Sequence, residues 1–161
     1  MSPKMAWAFI DMLSGEHPAG ISNNERARLK AKLQLLKYSS EPGDLLRSWL
    51  RRRAHLLRLS VARADVNALL KDSRLVPSGI SDGRSQLSAG DEVEAYVSPE
   101  DIPSIKADYL LAGILPANVW LHVVDRHIPN PAPLGLVLAD LAGHNGPRED
   151  AILREMLRRG Q

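Results

Sequence analysis

Apolar residues recur at helical spacing up to about residue 53, alternate at strand spacing from His55, and return to helical spacing beyond a proline-rich stretch near residue 130. Residues 5 to 14 (MAWAFIDMLS) carry Trp7, Phe9, Ile10 and Leu13 ahead of Gly15, which predicts a short packed helix with a glycine stop. Ser22-Asn-Asn-Glu25 has the form of a capping box, in which the serine oxygen accepts from the third amide and the glutamate reaches back to the cap's own amide. The helix it opens runs to about Tyr38. Leu29, Leu33 and Leu36 form its apolar stripe, and Arg26, Arg28, Lys30, Lys32 and Lys37 lie largely off it. Ser39 to Gly43 (SSEPG) is turn chemistry, and Asp44 suits the start of a third helix. In that helix Leu45, Leu46, Trp49 and Leu50 face inward, while Arg47, Ser48, Arg51 and Arg52 face outward.

Leu57, Leu59 and Val61 alternate with Leu56, Arg58 and Ser60, as in a strand with one buried face. A helix at about 63 to 71 follows, then a strand from Arg74 to Ile80 in which Pro77 argues for an edge position or a break. The turn-rich segment 78–90 leads to a strand at Glu92 to Val97, a helix opened by Ser98-Pro99, and a last strand at Asn118 to Val124. A shift of 36 residues aligns Val61, Asp65, Asp72 and Leu75 with Val97, Asp101, Asp108 and Leu111, an internal echo that implies two βα units. The order β-α-β-β-α-β is that of a ferredoxin-like split βαβ sandwich. Its uncovered face would present Arg58, Ser60, Glu92, Glu94, Tyr96, Trp120 and His122. A stiff connection, IPNPAP at 128–133, precedes an apolar helix over 134–142 and an amphipathic one over 147–159. The expected fold is therefore α+β in three parts: a helix-turn-helix-like unit over 1–54, the split βαβ domain over 55–126, and a connection with C-terminal helices over 127–161.

At 161 residues the chain is long enough for one substantial core or two small ones. Zero cysteines exclude disulfides, thiol catalysis and Cys-ligated metal, and fit a reducing cytoplasm. With no apolar run near the length of a membrane span and no signal-peptide pattern, a cytoplasmic protein without a membrane partner is expected. The overall charge of +2 conceals two opposite halves. Residues 1 to 63 hold twelve bases against five acids, a net +7, and the remainder holds nine bases against fourteen acids, a net −5. Such asymmetry suits a nucleic-acid-facing segment joined to a differently employed domain.

Enzyme chemistry finds little support. His122, Asp125 and His127 are close in sequence, but strand alternation sends His122 and Asp125 to opposite sides, against a converging metal site. Asp101, Glu100 and Glu94 form no spaced acid–base pair, and the serines and glycines of 78–90 make neither a nucleophile elbow nor a phosphate loop. The expectation is no catalytic residue, no metal, no cofactor and no small-molecule substrate. Arg47, Arg51, Arg52 and Arg53, with Arg58 nearby, instead make a cluster suited to several phosphate contacts on double-stranded DNA, against the plainer reading of a solvated basic helix. Glu92, Glu94, Tyr96, Trp120 and His122 make a partly acidic, partly aromatic face suited to a protein partner.

The segment Pro77-Ser-Gly-Ile-Ser-Asp-Gly-Arg-Ser-Gln-Leu-Ser-Ala-Gly-Asp-Glu-Val-Glu-Ala-Tyr-Val97, with Asn118-Val-Trp-Leu-His-Val-Val124 and Pro147-Arg-Glu-Asp150, resembles actinobacterial regulators of the AbiEi antitoxin type. The resemblance spans about residues 55 to 159 and does not include the winged helix of that family. It implies a non-enzymatic bacterial antitoxin and transcriptional regulator, with a DNA-facing N-terminal part and a C-terminal part that binds a nucleotidyltransferase toxin or a second copy of itself. The competing expectation is a protein-interaction adaptor or accessory subunit that does not bind DNA.

Overall fold

A computed structural model describes residues 1–87 and 90–160. In chain order the elements are α1 (Pro3–Leu13), α2 (Asn23–Tyr38), α3 (Pro42–Leu50), β1 (His55–Leu59), α4 (Val66–Leu70), β2 (Leu75–Pro77), β3 (Val93–Val97), α5 (Ile102–Asp108), β4 (Val119–Val123), α6 (Leu134–His144) and α7 (Pro147–Arg159). They form two compact units, one of residues Met1–Arg53 with the chain from Pro133 onward, the other of Ala54–Ala132. The three-part division is thereby corrected. The C-terminal helices complete the N-terminal unit instead of standing apart, because α6 is apolar around nearly its whole circumference and is stable only when wrapped by other helices.

In the helical unit α6 is buried from Gly135 to Ala142, and α1, α3 and α7 pack around it. Gly135 permits a close approach of α6 to α1, since a Cβ there would lie 2.4 Å from the Ile10 carbonyl oxygen. α1 contributes Ala6, Ala8, Phe9 and Ile10 to the core, and α3 contributes Leu46 and Leu50. α2 begins at the expected capping box: the Glu25 amide donates to Ser22 Oγ at 3.2 Å, and the Ser22 amide donates to Glu25 Oε2 at 2.7 Å.

The second unit is built on a four-stranded sheet in the order β1-β4-β3-β2. β1 and β4 are antiparallel, β4 and β3 parallel, and β3 and β2 antiparallel. This corrects the ferredoxin-like expectation. Interleaved βα units would place a strand of the second between the two strands of the first, one at a time; here β3 and β4 lie side by side between β1 and β2. The reason is the long return through α5, which lets the chain cross over and set β4 parallel beside β3. β2 does occupy an edge, with Pro77 as its last residue.

The internal echo is realised in three dimensions. Each of β1 and β3 leads into a short 3₁₀ turn, Arg63–Asp65 and Pro99–Asp101, and then into α4 and α5. Val66 and Leu69 of α4 and Ile105 of α5 pack on Leu59, Val93, Ala95, Val119 and Leu121 of the sheet. The echoed residues Asp72 and Asp108 converge on one base. Arg74 Nη2 lies 2.8 Å from Asp72 and 2.9 Å from Asp108, and the Tyr109 hydroxyl donates to Asp72 at 2.8 Å.

The hydrogen bonds from Arg74, joined by that of Tyr109, hold the Asp72 carboxyl well below the usual carboxylate range. A depressed folded-state value stabilises the fold at pH above the unfolded carboxylate pKa of about 3.9 and is lost as pH falls through the folded value. Asp72→Asn is therefore expected to cost about 1–2 kcal/mol at pH 7 and progressively less below pH 4. Urea denaturation of both proteins from pH 7 to pH 2 measures the difference; a pH-independent gap would contradict this origin.

Candidate functional site

The arginines grouped by sequence part company in the structure. α3 is seated by Pro42 and Gly43 at its start, where a Cβ on Gly43 would lie 2.7 Å from Asp150 Oδ1 of α7. Leu46 and Leu50 then face the core, which puts Ser48 on the solvent side and leaves Arg51 and Arg52 exposed just beyond the last turn. Arg47 is only partly available. Its Nε donates to the Ala142 carbonyl at 2.9 Å and its Nη1 to Asp44 at 2.7 Å, while Nη2 is buried. Met1, Asp44, Arg47, Ser48, Arg51 and Arg52 line an open basin on this side of the unit.

Arg53 does not belong to that surface. Its guanidinium is 9% exposed and pairs with Asp140 of α6, whose side chain is fully buried; Nη1 also donates to the Leu50 carbonyl at 3.1 Å. The backbone carbonyl of Arg53 accepts from Trp7 Nε1 at 3.1 Å. Its assignment to DNA is therefore corrected to a structural ion pair, and the physical reason is Asp140, a carboxylate in an otherwise apolar buried helix that must be neutralised in place. Arg58 is exposed, but on β1 in the other unit, opposite Trp120 of β4.

Further cations come from α2. Arg28, Lys30 and Lys37 are exposed, and Lys32 Nζ lies 4.1 Å above the Trp49 ring, a cation–π contact that links α2 to α3. Trp49, inward-facing by sequence pattern, is half-buried and gives its ring face to that cation.

The expected partner face is composed as the pleat requires but is not open. Glu94 pairs with Trp120, and Tyr96 with His122, across the parallel β3–β4 ladder, so the four share one side of the sheet. Glu94, Tyr96 and His122 are nevertheless buried, and so is every residue of β3. Glu94 Oε1 lies 2.8 Å from His122 Nε2, and Oε2 accepts the Ile80 amide at 3.1 Å. The Tyr96 and His122 rings stack at 4.9 Å. The Glu94 amide donates to Ser81 Oγ at 2.8 Å, so the segment after β2 folds over this side and holds the polar groups. Glu94, Tyr96 and His122 are thus corrected from surface contacts to an interior network; Glu92 and Trp120 are half-buried. Asp125 and His127 are exposed, apart from buried His122, and the three do not converge. Part of the turn-rich segment, Ser88 and Ala89, lies outside the described residues.

With this geometry in hand, comparison with protein-family models, curated proteins and solved structures yields no match.

The Arg53–Asp140 pair carries a clear expectation. Asp140→Ala or Arg53→Ala breaks a buried ion pair by removing one member and should destabilise the fold by about 3–5 kcal/mol, whereas Arg53→Met with Asp140→Leu should be milder. Chemical denaturation of the three variants measures this, and a single substitution as mild as the double would remove the structural role given to Arg53.

Proposed function

We propose that the protein is a non-enzymatic nucleic-acid-binding regulator of the AbiEi antitoxin type, with duplex DNA held through the end of α3. The observation that carries this reading is the exposure of Arg51 and Arg52 beside Ser48, on a helix whose other face is fixed in the core. Arg28 and Lys30 of α2 add positive charge to the same unit, and phosphate contacts of this kind give affinity that falls steeply with salt. On this reading α2 and α3, joined by Ser39 to Glu41, serve as a helix-turn-helix-like pair. The arginines follow the C-terminal end of α3, so the docking favoured here is backbone binding, in contrast to base reading from a helix N-terminus. A toxin or a second copy of the chain would engage the Ala54–Ala132 unit.

A second reading, a protein-binding adaptor, is favoured by one observation. Leu110, Ile114 and Leu115, between α5 and β4, are 84%, 66% and 78% exposed. A short segment with three such side chains suits burial against another protein.

Fluorescence anisotropy with duplex DNA from the protein's own upstream region and a scrambled duplex separates the two readings. The DNA reading expects own-site preference, and a double variant Arg51→Ala/Arg52→Ala that binds more weakly with a log–log salt slope shallower by about 2. Absence of binding at low salt would dismiss it and leave the adaptor. Arg53 is left intact in this test because its loss disturbs the fold.

A further inference from the structure

The helical unit contains a second concavity, and its chemistry differs from that of the basin beside α3. A pocket of about 550 Å³ opens between α2 and α7, floored by α1 and α6. Met12, Leu33, Leu134, Leu138 and Leu157 line its interior, and Lys37, Arg154 and Arg158 stand among its lining residues. Its volume falls within the range of small-molecule sites, which are mostly apolar with a few placed polar groups. Leu33, Leu134 and Leu157 are only partly buried, so apolar surface is left in contact with water inside the concavity.

The cations are unequally employed. Arg154 donates to the Ser40 carbonyl and to Glu41, which satisfies that carboxylate and fixes the turn between α2 and α3. Lys37 and Arg158, both exposed, have no ion-pair partner among the described residues. An apolar hollow with two uncommitted cations is complementary to a molecule with a hydrocarbon tail and an anionic head. We infer that this pocket binds an amphiphilic carboxylate, a medium-chain acyl anion, its tail among the leucines and its carboxylate held by Lys37 and Arg158. Arginine offers a carboxylate two parallel donors and lysine a point charge, so the pair supplies both orientation and attraction. The inference stands apart from the DNA reading and does not depend on it.

Isothermal titration of the full chain with decanoate, below the concentration at which decanoate self-associates, tests the assignment. One decanoate per chain is expected, with decanol and acetate each binding at least tenfold more weakly, because one lacks the head charge and the other the tail. Lys37→Glu/Arg158→Glu should weaken decanoate at least tenfold, and Leu157→Trp, which fills the hollow from a partly exposed position, should abolish it while circular dichroism stays unchanged. The Leu33→Trp variant provides the same test from α2 should Leu157→Trp fail to fold. No saturable binding, equal binding of decanol, or unchanged affinity in the charge-reversal variant would each overturn the inference. So would sedimentation showing that the apolar hollow is closed by a second copy of the chain.

Discussion

One buried charge pair governs the helical unit. α6 is enclosed from Gly135 to Ala142, and such a helix ordinarily carries no ionised group, because a lone carboxylate there forfeits its hydration. Asp140 is tolerated since Arg53 reaches it from just beyond α3. The pairing fixes where the chain must be when it leaves the N-terminal helices, and Trp7 reinforces that position by donating to the Arg53 carbonyl. It also divides a run of three arginines by environment. Arg53 goes to the interior, and Arg51 and Arg52 at the preceding positions are exposed.

The second unit meets a comparable demand by different means. Its sheet has a parallel pair at the centre, β3 and β4, and β3 is buried on both faces. Polar residues on such a strand need partners inside the fold, and those of Glu94 include the His122 ring and the Ile80 amide. On the helical side of the sheet, Arg74 collects Asp72 and Asp108, one from each echoed βα unit, and thereby ties the two units together. The echo is thus an electrostatic joint as well as a repeated strand–turn–helix pattern.

Much of the local structure was legible in residue order. The capping box at Ser22 marked the start of α2, and the amphipathic helix expected over 147–159 is α7 over its observed range. Alternation located β1, β3 and β4, and Pro77, read as an edge or a break, ends the edge strand β2. Neighbour relations were not legible. A period of two says which side a residue faces, but not which strand lies beside it, so the same βα units were consistent with an interleaved sheet and with the observed one. Exposure failed for the same reason. The pleat placed Glu94, Tyr96 and His122 together, yet the burial of that side depends on how the segment after β2 returns over it, which no local pattern records. For Arg53 the missing information was Asp140, 87 residues away in the chain.

The linings of the two concave surfaces come closest along the chain at the start of α3, at Pro42 and Asp44. Ser39 and Pro42 border the apolar pocket, and the same few residues set the entry of the chain into α3, which carries Ser48 and leads to Arg51 and Arg52. Arg154 clamps the intervening turn through Ser40 and Glu41, and Gly43 seats α3 against Asp150 with no room for a side chain. A Cβ at Gly43 would meet the carboxylate end of Asp150, so α7 reaches the start of α3 there through a side chain that can itself move. Whether that contact transmits a signal is a question of differential affinity. An occupant of the pocket shifts α3 only if it binds one seating of the helix better than another, and an occupant indifferent to the seating changes nothing at the arginines however tightly it is held.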